Sequence, residues 1–368
     1  MKIIFAGGGT GGHLYPGLAI ARALVRCDAS VEPFFIGAKR GIEREVLPGT
    51  EFPHALLDLH PLYRTRPWEN WRTVRGGITA WRAIGRQLRF GNPRLIVGTG
   101  GYASGLVLAH AAVNRRPYVL QEQNSHPGLT VRAFSRWARE VYLGFPEAAA
   151  LMPKGEGTIM VDSGNPIEPP PSPRPDRAAA REGWGLAPGG RVLLIVGGSQ
   201  GSRAINDVIA AWIRAGVPQG WQVIWATGTG SFDRYAALET ERVRVRPYLA
   251  PIAHAYAAAD LAIVRAGAVT TAELCAWGIP AALVPLPTAA ADHQTANARA
   301  LQQAGASLFI PQSEFTPQRI DATLRMLDSD PAQLAQLAAA SAARGRPDAA
   351  ETIARRILAL LDVTPYRS

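Results

Sequence analysis

Three times in this chain a short apolar run ends in a cluster of glycines and is followed at once by a helix-forming stretch, a recurrence that limits the fold more than any other feature. The first instance is residues 2–6, then Gly7-Gly8-Gly9-Thr10-Gly11-Gly12-His13-Leu14-Tyr15-Pro16, with an amphipathic pattern over 14–25. Residues 94–97 lead into 98–105 (GTGGYASG) and an apolar helix over 106–113; residues 191–196 lead into 197–202 (GGSQGS) and a helix over 204–215. Val/Ile/Leu runs alternating with helices predict parallel strands buried on both faces. The pattern starts afresh near 191, and the proline-rich stretch 166–175 makes a stiff connector. At 368 residues the chain is long enough for two cores. We therefore read an α/β protein of two facing Rossmann-like, doubly wound domains, 1–165 and 166–348. The last helix, from 349, is expected to pack back across the boundary. A ligand crevice is expected at the carboxyl ends of the strands.

A glycine turn running into a helix suits one kind of ligand. Glycine lets backbone approach closely and take φ > 0. The helix start adds unpaired N–H groups and the positive end of a dipole, a site for anions. His13 stands at the mouth of the first turn, where an imidazole moves protons near pH 7. Gly7-x-Gly9-x-x-Gly12 also has the form of the dinucleotide fingerprint, a weak signal alone. That fingerprint wants an acid closing the second strand, and here residues 32–36 run into Gly37-Ala38-Lys39-Arg40. An NAD(P) enzyme would have to read a 2′-phosphate through Lys39 and Arg40.

The formal charge of +10 is carried almost wholly by arginine, because Lys2, Lys39 and Lys154 are the lysines. Residues 60–90 concentrate it: Arg64, Arg66, Arg72, Arg75, Arg82, Arg86 and Arg89 stand against Glu69, interleaved with Trp68, Trp71, Ile78, Trp81, Ile84 and Leu88. Arginine heads with tryptophan bodies suit the headgroup zone of an anionic membrane, with Trp68, Trp71, Trp81, Arg72, Arg75 and Arg82 as the docking residues. A solvated basic helix with its tryptophans in the core is the plainer reading. Nucleic acid would use the same residue types, yet no nucleic-acid-binding motif accompanies them, and no nucleic-acid partner is expected. No 18-residue apolar run is present, and residues 1–6 enter a strand without a signal-peptide pattern, so a soluble or peripheral protein is expected. Cys27 and Cys275 give neither a disulfide framework nor metal spacing, which fits a reducing compartment.

Other strand ends carry polar groups. Tyr118 to Asn124 ends in Glu122-Gln123-Asn124, where Glu122 or Asn124 either meets a sugar or proton or caps the next element. After 260–264 come Arg265-Ala266-Gly267-Ala268-Val269-Thr270-Thr271-Ala272-Glu273. Glu273, expected in the first helical turn, is either a dipole partner or the acceptor for a vicinal diol. In Asp292-His293-Gln294-Thr295-Ala296-Asn297 the i, i+3 spacing puts Gln294 and Asn297 on one helical face. His54, His60, His110, His126 and His254 show no ligand spacing. Asp328-Ser329-Asp330 precedes Pro331 between helices and reads as a cap and loop, implying no metal.

Taken together, these stretches resemble the bacterial peptidoglycan glycosyltransferase family that moves N-acetylglucosamine from its UDP donor onto undecaprenyl-pyrophosphoryl-N-acetylmuramyl-pentapeptide, the MurG family. The resemblance rests on the ordered set GGGTGGHLYP (7–16), GTGGYASG (98–105), EQN (122–124) with PGLT (127–130), GNP (164–166), VGGSQGS (196–202), RAGAVTTAE (265–273) and DHQTANA (292–298). It implies the GT-B fold and an inverting transfer without metal or cofactor. It implies that the C-terminal half holds UDP-GlcNAc, with Ser199 facing the diphosphate, Glu273 the ribose, and Ala268, Val269 and Thr270 the diphosphate and sugar. Gln294 and Asn297 would meet the GlcNAc hydroxyls, and Leu249 would lie near the uracil. The N-terminal half would take the lipid acceptor. Its pyrophosphate would meet Gly9, Gly100, Gly101, Tyr102 and Ser104, with Thr10, Gly11, Gly12 and Asn124 as further substrate contacts. His13 is the implied base and Glu122 its rival. Partners implied are UDP-GlcNAc, the undecaprenyl-linked acceptor, an anionic membrane at its cytoplasmic face, and other cell-wall synthesis proteins.

Three positions depart from the family pattern. Gln121 stands where the family usually has histidine, Val131 where it has asparagine, and Glu168 where an arginine follows Gly-Asn-Pro. Arg265 or Arg203 would have to replace that arginine near the donor diphosphate. Two other functions fit the same pattern: a GT-B transferase or epimerase using UDP-GlcNAc with another acceptor, and a non-catalytic protein that binds carrier lipid.

Overall fold

The computed structural model describes residues 1–59, 70–198 and 200–363, without the side chains of 70–75 and 363. Trp68 and Ser199 therefore lie outside the described residues. The chain divides into two compact units, Met1–Glu168 with Asp348–Ser368, and Pro169–Pro347.

Among the described residues of the first unit, seven strands form one parallel sheet: β1 (Lys2–Gly7), β2 (Glu32–Ala38), β3 (His54–Leu57), β4 (Leu95–Gly100), β5 (Tyr118–Glu122), β6 (Glu140–Leu143) and β7 (Ile159–Asp162). Their order is β3-β2-β1-β4-β5-β6-β7. Alternate residues of β1 enter opposite cores. Ile3 and Phe5 meet Leu14, Leu18 and Leu24 of the helix Gly11–Cys27, and Ile353 and Ile357 of the helix Ala349–Val363. Ile4 and Ala6 meet Ile84 and Leu88 of the helix Asn70–Phe90, and Val107 and Leu108 of the helix Gly101–Val113. Burial on both faces is why β1 reads as an unbroken apolar run. The C-terminal helix buries Ala350, Ile353, Ala354, Ile357 and Leu361, one stripe at helical spacing. Arg356 forks onto Glu140 through two 2.7 Å bonds and fixes that helix to β6.

The second unit repeats the plan. Its strands are β8 (Arg191–Val196), β9 (Trp221–Ala226), β10 (Val243–Arg246), β11 (Leu261–Val264), β12 (Ala281–Leu283) and β13 (Ser307–Phe309), ordered β10-β9-β8-β11-β12-β13 and parallel. Leu193 and Ile195 pack on Ile205, Ile209, Trp212 and Ile213 of the helix Arg203–Ala215. Asp330 caps the helix Pro331–Arg344, accepting from Ala332 and Gln333 N–H. Asp328 and Ser329 are not loop but close the preceding helix Pro317–Ser329, where Asp328 accepts from Trp221 Nε1 and pairs with Arg191. In each unit the strand order reverses beside its first strand, between β1 and β4 and between β8 and β11. Doubly wound folds bind ligands at such switch points.

Element starts differ from the sequence reading where glycines stand. The first helix begins at Gly11, not near Leu14, so His13 lies inside its first turn. The second glycine cluster is not a loop: β4 continues to Gly100 and the helix starts at Gly101, making Tyr102 to Gly105 helical. The abrupt junction needs φ of +88° and +75° at Gly100 and Gly101. A Cβ on Gly101 would lie 2.0 Å from the Gly8 carbonyl oxygen. Glu273 falls in the second turn of the helix Ala268–Trp277, not the first.

Candidate active site

The glycine turn after β1 is shaped by a residue that sequence reading passed over. Glu43 is fully buried; its Oε2 accepts from Gly9 N–H at 2.9 Å and its Oε1 from Ala38 N–H at 3.1 Å. A Cβ on Gly8 would overlap the Glu43 carboxyl at 1.9 Å, so the bare glycine backbone is what admits the acid. A carboxylate thus does reach the end of β2, from five residues beyond it, but both its oxygens bind backbone N–H groups of this chain. It closes the turn from inside, and the Gly9 N–H points at Glu43, in contrast to the expectation that this amide meets an outside anion. The signal for Glu43 was its place in a short polar run after β2, too little to find it.

His13 is held at the β1–β4 switch point. Its Nδ1 lies 3.1 Å from the Thr99 carbonyl oxygen and 2.9 Å from Gln123 Oε1. A carbonyl only accepts, so Nδ1 carries a proton; in a neutral ring that leaves Nε2 as the acceptor nitrogen. Thr99 Oγ1 donates to the His13 carbonyl at 2.7 Å, tying the helix start to the end of β4. Gly100 and Gly101 leave room for the imidazole, since a Cβ on either would stand 3.0 Å from a ring atom.

Glu122, the rival base, is 1 % exposed. Its Oε1 accepts from Asn124 N–H at 2.9 Å and its Oε2 from Gly128 N–H at 2.8 Å. Burial pushes its carboxyl up to about 7 against the pull of those donors. Both oxygens organise the loop that carries Asn124, which is itself half-buried. Of the other residues expected here, Thr10 and Gly12 are exposed and Gly11 half-exposed. Tyr102 stands over Gly9. Ser104 is buried and donates back to the Gly101 carbonyl at 3.0 Å, so its hydroxyl serves its own helix.

In the second unit a pocket of about 210 Å³ opens at the β8–β11 switch point, lined by Gly197, Gly198, Ser202, Arg265, Thr270 and Gln294 among others. Arg265 is 7 % exposed. Its Nη1 donates to the Val284 and Pro285 carbonyls, and its Nη2 to Ser202 Oγ and Gln312 Oε1. None of these four acceptors is a carboxylate, and burial pulls the guanidinium below its usual pKa. Gln294 Oε1 accepts from Leu286 N–H at 2.9 Å. Asn297 shares its helix but is fully buried, its Nδ2 donating to the Ala266 carbonyl at 3.2 Å; it supports the turn after β11. Ala268 is buried, Val269 and Thr270 half-buried, and Leu249 buried beside a cis Ala250–Pro251 bond. Glu273 accepts from the Tyr256 hydroxyl at 2.8 Å, a partner with no local sequence signal.

The basic helix Asn70–Phe90 buries Gly76, Ala80, Ile84 and Leu88 and exposes Ile78, Arg82, Arg86, Arg89 and Phe90. Trp81 is half-buried, its ring centroid 4.7 Å from that of His110. One side of its ring thus packs against the protein. The side chains of Trp71, Arg72 and Arg75 lie outside the described residues. No helix among the described residues is long and apolar enough to cross a membrane.

Two parallel doubly wound units with glycine turns at their switch points have the plan of GT-B proteins, and comparison with known proteins makes this one a glycosyltransferase. Residues 3–143 match the glycosyltransferase family 28 N-terminal domain and residues 192–353 its C-terminal domain. The UDP-N-acetylglucosamine–N-acetylmuramyl-(pentapeptide) pyrophosphoryl-undecaprenol N-acetylglucosamine transferase of Salinibacter ruber is 39% identical over 367 residues, covering 98% of this chain and 97% of the relative. The protein of the same name from Symbiobacterium thermophilum is 38% identical over 368 residues, covering 98% and 96%. The crystal structure of Acinetobacter baumannii MurG superposes with a TM-score of 0.77 at 26% identity, covering 97% of this chain and 99% of that one. S. aureus MnaA, solved with UDP, shares the fold at a TM-score of 0.68 and 13% identity. The chain belongs to the MurG family of N-acetylglucosaminyltransferases.

Proposed function

We propose that this chain transfers N-acetylglucosamine from UDP-GlcNAc to the 4-hydroxyl of the N-acetylmuramyl sugar on undecaprenyl-pyrophosphoryl-N-acetylmuramyl-pentapeptide, at the cytoplasmic face of the membrane. The observation that carries this reading is Arg265. A buried cation whose hydrogen bonds all go to neutral oxygens, beside glycine amides, calls for an anion. The donor's diphosphate supplies one, and Arg265 then does the work of the arginine that Glu168 replaces. The N-terminal amides of the helix Ala268–Trp277 add their dipole as the leaving diphosphate gains charge. Glu273 takes the ribose hydroxyls, Gln294 the sugar, and Leu249 borders the uracil.

The acceptor oxygen attacks C1 of GlcNAc from one face while the bond from C1 to UDP breaks on the other, inverting the centre. His13 Nε2 takes the acceptor's proton, a contribution of about a hundred- to ten-thousand-fold. The Nδ1 bond to Thr99 leaves Nε2 as the basic nitrogen, whereas the Glu122 oxygens are engaged by backbone N–H groups; these contacts favour His13. Gly100, Gly101, Tyr102 and the exposed start of the helix Gly11–Cys27 receive the acceptor pyrophosphate, and Asn124 its sugar. The stripe Ile78, Arg82, Arg86, Arg89 and Phe90 meets anionic lipid.

Radiolabelled UDP-GlcNAc with a short-chain lipid acceptor tests the reading. Labelled disaccharide–lipid is the expected product. UDP release without it would indicate another acceptor, and lipid retained without turnover would make the chain a binding protein.

A further inference from the structure

Behind His13 lies a dry network of amides. Gln121 is fully buried, Gln123 1 % and Asn165 2 % exposed. Gln123 Oε1 faces His13 Nδ1 at 2.9 Å, while its Nε2 donates to the Thr99 carbonyl at 2.7 Å and to Gln121 Oε1. Gln121 Nε2 donates to Asn165 Oδ1 at 3.1 Å, and Asn165 Nδ2 donates to the Gln123 carbonyl at 2.9 Å. The chain of donors permits one orientation of the Gln123 amide. Turned over, it would set Oε1 against the Thr99 and Gln121 oxygens, three acceptors with no hydrogen between them, in a site no water reaches. With Nε2 committed to those oxygens, Oε1 remains to accept from the imidazole.

We infer that Gln123 is a positioning residue that, backed by Gln121 and Asn165, fixes the His13 ring and holds it as the Nδ1–H tautomer. This rests on the reading of His13 as the base. Gln121, Gln123 and Asn165 are uncharged amides, so the Gln123 bond that orients the ring does not depend on charging that partner. The mechanical result is that a residue in the first turn of one helix is aimed by the loop after β5.

The test is nitrogen NMR of imidazole-labelled protein combined with steady-state kinetics. In the wild-type chain His13 should show the Nδ1–H pattern; a dominant Nε2–H pattern would overturn the inference without any variant. Gln123→Met leaves Nδ1–H with the Thr99 carbonyl and without the amide oxygen. The ring should loosen, part of the population should shift toward Nε2–H, and kcat should fall about ten- to a hundredfold, with KM for UDP-GlcNAc within about twofold. Gln123→Met with unchanged tautomer and kcat would overturn it as well. His13→Ala separates the two readings: normal turnover there removes His13 as base, while the tautomer signals still decide whether Gln123 holds the ring.

Discussion

The Tyr256 hydroxyl donates to Glu273 Oε2 across 2.8 Å, and the phenol is packed against the Trp277 ring 5.9 Å away. Burial pushes the Glu273 carboxyl above the usual carboxylate range, and the Tyr256 hydroxyl pulls it part-way back. The phenol thereby engages Oε2 and favours the charged form of Glu273, the form that the proposed ribose contact requires. Tyr256→Phe should raise KM for UDP-GlcNAc about tenfold, since hydrogen bonds to charged groups are worth roughly 1.5–3 kcal/mol, and leave kcat within about twofold. Initial-rate kinetics over donor concentration check this. An unchanged KM would separate Glu273 from the ribose.

Glu122 makes stability depend on pH in an unusual direction. Its ordinary value is near 4.5 and its native value about 7. Between them the native chain keeps a proton that the unfolded chain has released, so stability falls as pH rises through that window, by on the order of 3 kcal/mol. Glu122→Gln should lack this slope. At pH 5 it should be less stable by about 1–3 kcal/mol, because its amide N–H₂ confronts a backbone N–H of Asn124 or Gly128. Urea unfolding from pH 5 to 8 should show the gap to wild type narrowing; a constant gap would refute the assignment.

Arg265→Met removes the buried cation while keeping an unbranched apolar side chain. UDP affinity measured calorimetrically should fall at least about tenfold. If it is unchanged, Arg265 has not taken over from the arginine absent at Glu168.

Glu43→Ala strands the buried N–H of Ala38 and the half-buried N–H of Gly9. Each unsatisfied donor costs about 1–3 kcal/mol, so urea unfolding should show roughly 2–5 kcal/mol lost. Turnover should fall with little change in donor KM, since Gly9 opens the turn that carries His13. Full stability in the variant would mean the turn is set by its glycines alone.

The exposed arginine stripe gives a surface prediction. Arg82→Glu, Arg86→Glu and Arg89→Glu together should weaken binding to anionic vesicles about a hundredfold, at about 1 kcal/mol per arginine. Binding to neutral vesicles and turnover of a soluble acceptor should persist. Trp81→Ala should instead lower the melting temperature, because its ring packs on His110. Loss of vesicle binding in Trp81→Ala at unchanged melting temperature would return it to the docking surface.

The sequence by itself determined the strand–glycine–helix repeats, their burial on both faces and the strand ends beyond which His13, Arg265 and Glu273 stand, though not their exact turns. These follow from short-range rules: period, turn chemistry and the absence of a side chain at glycine. What the tertiary structure decided is how those residues are held. Glu43 reaches Gly9 across 34 residues, Gln123 reaches His13 across 110, Tyr256 reaches Glu273 across 17 and Asn297 reaches Ala266 across 31. No local pattern encodes such pairs, because a buried polar side chain is satisfied by whichever partner the folded sheet brings within 3 Å. The same physics turned Asn297 and Ser104 inward and put Trp81 on His110: a side chain's direction is set by the element packed against it, and a single chain read in order does not contain that neighbour.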